Sequence, residues 1–132
     1  MKNARLRTDM LRSAAVWLGL GLGLPMLGHA ADATPPEPWP IAGQQGIMRF
    51  VIVPTALARD REAYARQIEL LCQPGQSCFL NFYTNTQGAV IAVPLPDSID
   101  KEATAVFRRS IKQGAELMRW SCRLQVAPDD CF

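Results

Sequence analysis

The residues with most chemical potential in this 132-residue chain are its four cysteines, Cys72, Cys78, Cys122 and Cys131. Their spacings are C-x5-C and C-x8-C, and neither is the C-x-x-C of a redox motif or a zinc knuckle. An even count at such spacings reads as a disulfide framework if the chain leaves the cytoplasm. The one histidine, His29, lies near the N-terminus. Without it the chain has no Ser-His-Asp or Cys-His nucleophile system and no imidazole for metal or acid-base work. No phosphate loop or dinucleotide fingerprint is present. The expectation is therefore no catalytic, cofactor-binding or metal-binding residues, and no cofactor.

Carboxylates remain as candidates for hydrolysis. Asp97, Asp100 and Glu102 form one group, and Asp129 and Asp130 another. The first sits where a helix would begin, and there acids complement the helix dipole. The second follows Pro128 in a turn, where Asp is common. Neither has the form of two acids poised across a cleft.

The N-terminus sets the compartment. Lys2, Arg5, Arg7 and Arg12 precede an apolar run from Ala14 to Gly28, followed by small residues. That is the layout of a secretory signal peptide, and the run is shorter than the ~20 residues of a spanning helix. Cleavage after Ala30 is expected by the general secretion route, since no Arg-Arg pair precedes the run. The expected organisation is a signal peptide at 1–30, a Pro-rich extended segment at 31–46 and one domain at 47–132. Localisation is then periplasmic or secreted, with no membrane anchor left after cleavage.

Cleavage also changes the charge. The chain has fourteen Lys plus Arg and twelve Asp plus Glu; four of the bases and one of the acids precede Ala31, leaving ten and eleven. A nearly neutral mature chain gives no reason to expect a nucleic-acid partner.

Something must position these residues. Met48 to Val53 is rich in β-branched residues and stops at Pro54, which predicts a strand. Asp60 is a candidate N-cap for a helix whose apolar face is Leu57, Tyr64, Ile68, Leu71 and Cys72. The helix should stop at Gln73-Pro74-Gly75. Cys78 to Thr84 and Ala89 to Val93 read as a hairpin. A second helix is expected from Asp97 or Ser98 to before Gly114, with Ile99, Ala103, Val106 and Phe107 inward. Met118, Trp120, Cys122, Leu124 and Val126 alternate with polar residues and predict a last strand. The resulting class is α+β, a small disulfide-stapled two-layer sandwich in the order β-α-β-β-α-β, which suggests a ferredoxin-like fold.

In that fold the second and fourth strands are opposite edges of the sheet. A Cys78–Cys122 bridge would then have to span about 14 Å, against the ~7 Å that disulfide Cα atoms allow. The expected pairs are Cys72–Cys78 and Cys122–Cys131. One sheet face should be open and carry Arg49, Asn81, Tyr83, Arg119 and Arg123, a platform of arginine forks and one aromatic ring suited to recognition. Arg108, Arg109 and Lys112 are read as helix-end charges.

The run Leu71-Cys72-Gln73-Pro74-Gly75-Gln76-Ser77-Cys78-Phe79-Leu80-Asn81-Phe82-Tyr83-Thr84, with Leu117-Met118-Arg119-Trp120-Ser121-Cys122 downstream, resembles small exported proteins of Gram-negative bacteria. These have C-x5-C before an aromatic strand and Trp-x-Cys near the C-terminus. The resemblance implies a bacterial origin and a periplasmic address, and it carries over no activity and no site residue.

The functional expectation is a non-catalytic periplasmic interaction protein of inhibitor, immunity or envelope-accessory type. Its partner would be another envelope protein or an anionic cell-wall component. The alternatives are a carboxylate-dependent hydrolase of cell-wall material and a plain structural or stress domain.

Overall fold

A computed structural model describes residues 34–132. The expected signal peptide lies outside the described residues. Two strands open the fold, β1 (Ile41–Gln45) and β2 (Met48–Ile52). They form an antiparallel hairpin in which Gln45 pairs with Met48, so the turn is only Gly46-Ile47. Gly46 has φ +61, the left-handed first position that a tight hairpin turn requires. β1 also needs Gly43, because a Cβ there would fall 1.7 Å from Val93 Cγ2. Within the segment expected to be extended, Gly43 and Gly46 are thus what lets β1 form and lets a loop pack across it.

Helix α1 (Arg61–Leu71) follows. The Asp60 carboxylate accepts from the Ala63 N–H at 3.0 Å, which satisfies one of the helix's free donors. The expected inward face is the observed one. Tyr64, Leu71 and Cys72 are buried, and Leu57 and Ile68 pack against them. α1 crosses over to β3 (Cys78–Tyr83), which pairs parallel to β2. The four-residue α2 (Asp97–Asp100) leads into β4 (Ala103–Ser110), and β5 (Ala115–Trp120) returns antiparallel. The sheet is mixed and five-stranded, in the order β1-β2-β3-β4-β5.

The fold is α+β with two disulfides, but its order is not the expected β-α-β-β-α-β. Three differences account for this. β1 is an additional strand. Ala89 to Val93 is not a strand, because Asn85 bonds both main-chain groups of Ala89 and turns the chain away from β3. The expected second helix stops after one turn at Asp100. Residues 103–110 instead form the strand beside β3, with Phe82 opposite Ala105 and Leu80 opposite Phe107. Thr104, Val106 and Phe107 are strand formers, and sheet pairing decides between two periods that the sequence leaves close. The last strand also ends early, at Trp120. A 3-10 turn, Cys122–Leu124, and Gln125 at φ 52 bring Leu124 back into the core.

The disulfides are Cys72–Cys78 and Cys122–Cys131, with Cα separations of 5.7 and 4.9 Å. The pairing is the expected one, although its premise of opposite edge strands does not hold. β4 lies between β3 and β5, and Cys78 sits level with Arg109 and Glu116, at the far end of β5 from Cys122. Cys78 and Cys122 are therefore about 10 Å apart across the sheet and roughly 20 Å apart along it.

The main core lies between α1 and the sheet. It joins Trp39, Val51, Tyr64, Leu80, Phe82, Phe107 and Trp120. Tyr64 is fully buried; its Oη is 3.0 Å from the Ala58 carbonyl and 2.7 Å from Thr104 Oγ1. The carbonyl can only accept, so Tyr64 donates to it and receives from Thr104. Burial pushes the Tyr64 pKa up to about 12, against the Thr104 hydrogen bond and the charge of Arg123. Trp39 belongs to the segment expected to be extended and outside the domain. It is 7% exposed, and its N–H donates to Gln67 Oε1 at 2.7 Å. The folded unit therefore starts before residue 47. A smaller cluster on the other sheet face joins Ile52, Tyr83 and Ile99 beneath the 84–100 segment.

Candidate binding face

The parity of each strand decides what the face opposite α1 presents. In β2, Val51 points to the helix side with the main core, so Phe50 and Ile52 face the other way. In β3, Leu80 and Phe82 are inward, so Phe79, Asn81 and Tyr83 point outward. Asn81 and Tyr83 thus share the open face, as expected. Arg49 does not. It has the parity of Val51, and its Nη2 lies 3.1 Å from Cys78 Sγ on the helix side. Tyr83 is only 6% exposed, covered by the smaller cluster, so its ring is not a free recognition surface.

The two downstream arginines are already engaged. Arg119 does lie on the open face, opposite Val106. Its Nη2 donates to the Cys131 carbonyl at 2.7 Å. Its Nε is 3.3 Å from Asp130 Oδ1, without hydrogen-bond geometry. It braces segment 125–132 against β5. Arg123 is not on the sheet; it sits in the 3-10 turn and donates to the Glu102 carbonyl at 2.6 Å. The expected three-arginine platform is not assembled.

A different arginine occupies the centre of the face. Arg108 stands on β4, opposite Phe79 and Leu117. Nη1 donates to the carbonyls of Leu80 and Phe107 at 3.0 and 2.8 Å, and Nη2 to Asn81 Oδ1 at 2.6 Å. The guanidinium carbon lies 5.4 Å from the Phe79 ring centroid, within cation–π range. Asn81 is in turn fixed by Met48 Sδ at 3.2 Å and Tyr83 Oη at 3.3 Å. Burial lowers the Arg108 pKa from the ordinary arginine value, against the influence of Tyr83. The group stays charged at neutral pH all the same. Among the described residues the ion pairs are Arg66–Glu62, Arg109–Glu116 and Arg119–Asp130, and none involves Arg108. Beside it Leu117 is 46% exposed. Phe79, Arg108, Ser110, Gln113, Ala115 and Leu117 enclose a shallow cleft of about 320 Å³. Arg108 was legible only as one of a basic group because its segment read as a helix end.

Two further grooves bear on chemistry. One, about 550 Å³, runs under the 93–95 loop on the same face, and Asp100 is the single acid among its lining residues. The other, about 380 Å³, lies between α1 and β5 and is lined by both Glu69 and Glu116. There Glu116 is held by Arg109 at 2.8 Å, and Tyr64 and Trp120 are too buried to offer a stacking surface. Of the two acid groups in the sequence, Asp130 pairs with Arg119, and Glu102 serves the loop after β3. Among the described residues no group of three His, Cys, Asp or Glu could hold a metal ion, and no helix is long and apolar enough to cross a membrane.

The chain matches no family model, no curated protein and no solved structure. Its functional reading therefore rests on its own residues.

Glu102 ties the loop after β3 to the start of β4. Its Oε2 accepts from the Thr84 hydroxyl and the Thr86 N–H, both at 2.8 Å. Burial raises its pKa, but those hydrogen bonds and Arg123 outweigh it, and the net shift is downward from 4.5. A carboxyl lowered in the folded state stabilises the fold above its unfolded value and loses that contribution as pH falls through the folded value. Glu102→Gln should therefore destabilise the protein at pH 7, with the difference from wild type shrinking below about pH 4.5. Urea unfolding at pH 7 and pH 3.5 checks this. A difference that does not change with pH would contradict it.

Proposed function

We propose that this chain is a non-catalytic, exported interaction domain that binds another protein of the bacterial envelope through the open face of its sheet. The observation carrying this reading is Arg108, a partly buried cation with no acid partner among the described residues, beside the exposed Leu117. Interfaces favour arginine and aromatic groups next to apolar area, with a surface too shallow for enclosed chemistry. The two disulfides are compatible with an extracytoplasmic location. The tripartite N-terminus and the resemblance to small exported Gram-negative proteins point the same way.

A hydrolase of cell-wall material is the second reading, favoured by Glu69 and Glu116 sharing one groove. It is weaker because Glu116 is committed to Arg109 and the groove is open. The third reading, a plain structural or stress domain, accounts for the hydrogen bonds by which Arg108 ties β4 to β3, but not for the exposed Leu117 beside a cation without an ion pair among the described residues. Photocrosslinking from the open face of the exported protein tests the first reading against the other two.

A further inference from the structure

We infer that Arg108, Phe79, Asn81 and Leu117 form a site for a carboxylate flanked by an apolar group, as presented by an acidic segment of a protein partner. This rests on the interaction reading above and names the chemistry of its ligand.

Three observations carry it. First, the guanidinium is pre-set. Three hydrogen bonds to neutral acceptors fix its plane, and Asn81 is itself held by Met48 and Tyr83. A fork already fixed in place loses little side-chain entropy on binding. Second, it is incomplete. Nε–H makes no hydrogen bond among the described residues, and Nη2 has a second N–H beyond the one given to Asn81. Those donors suit the two oxygens of a carboxylate. A cation partly withdrawn from water and paired only with neutral groups gains from an incoming anion. Third, the groups nearest the guanidinium are apolar. Phe79 lies under the guanidinium and Leu117 stands exposed beside it.

The walls also decide the source of the anion. An Asp or Glu beside a Leu, Val or Phe can place its charge on Arg108 and its neighbour on Leu117. The carboxylate of a cell-wall sugar acid hangs from a ring bearing hydroxyl and acetamido groups, and a ring closing on Phe79 and Leu117 would desolvate several of these with only Ser110 and Gln113 as further polar neighbours. The protein segment is therefore the better fit.

The test uses the oxidised exported protein, followed by amide NMR during titration. The probes are benzoate, its neutral isostere benzamide, and N-acetylmuramic acid. Saturable shifts are expected at Phe79, Arg108, Ser110 and Leu117 with benzoate. Binding of benzamide should be weaker by about tenfold, as should that of benzoate to Arg108→Met. Arg108→Lys should fall between, since it keeps the charge and loses the fork. Equal shifts with benzamide, or undiminished binding to a folded Arg108→Met, would overturn the carboxylate site. Tighter binding of N-acetylmuramic acid than of benzoate would overturn the protein source. The wild-type comparison of benzoate with benzamide stands even if Arg108→Met fails to fold. If photocrosslinks from Leu117 persist in Arg108→Met, the face binds a partner by other groups; the interaction reading survives and this inference does not.

Discussion

Replacing Trp39 by alanine is expected to cost about 3–5 kcal/mol of folding stability, as for other buried large aromatic residues. The Trp39 ring meets Tyr64 edge-on at 5.0 Å and Phe82 at 6.1 Å. Its removal leaves a cavity between α1 and the sheet and strips two aromatic contacts from the core. Its main-chain N–H would still reach Gln67, whose amide also donates to the Glu37 carbonyl at 2.9 Å. The effect is therefore that of the side chain. Domains of this size have roughly 5–15 kcal/mol in total, so a large share is lost. The midpoint of thermal unfolding should fall by roughly 15 °C or more. Calorimetry on the variant measures it. A loss below about 1 kcal/mol would mean that the Pro-rich segment is not part of the fold.

The second large effect is covalent. The disulfides close short loops, with sequence separations of 6 and 9. Chain entropy assigns each about 2–3 kcal/mol, so removing both should cost about 5 kcal/mol. Substitution by alanine is the cleaner test for the first pair, because Cys72 and Cys78 are both buried and serine would bury hydroxyls there. Loss of the second pair frees the segment that Arg119 and the Phe132–Trp120 main-chain bond hold on β5. The fourfold Cys→Ala variant should be largely unfolded at 37 °C. A variant with wild-type urea midpoint would contradict the stapling account.

What the sequence makes legible, and what it hides, follows from which signals are local. The cap at Asp60 and the inward face of α1 are local, and both hold. The disulfide pairs hold as well. Misread elements are those in which a distant partner decides. Residues 103–110 have enough apolar character for either a helix or a strand, and pairing with β3 settles it. The alternation after Met118 looks like one long strand. Gln125 in the left-handed region and the bridge from Trp120 to Cys131 end it early. β1 and Trp39 stayed hidden because proline and glycine dominate their neighbourhood, while their anchors, Gln67 and Val93, lie far along the chain. The site followed the elements. A helix over 103–110 would keep Arg108 off any sheet face, and the expected open-face position of Arg49 fails because β2 turns Val51 and Arg49 to the helix side and Phe50 and Ile52 to the other. Asn81 and Tyr83 share the open face because the span of β3 is a local signal, yet Tyr83 is buried there under the smaller cluster.

Site-specific photocrosslinking tests the central claim most directly. Leu117 on β5 and Leu70 on α1 are both apolar and nearly equally exposed, at 46% and 47%. They sit on elements that report on opposite sides of the sheet. A benzophenone side chain at either position should leave the fold intact, since neither residue is buried. Irradiation of cells carrying the exported protein is expected to give a discrete protein adduct from position 117 and none from position 70. Adducts from position 70 alone, or none from either, would contradict an interface on the open face.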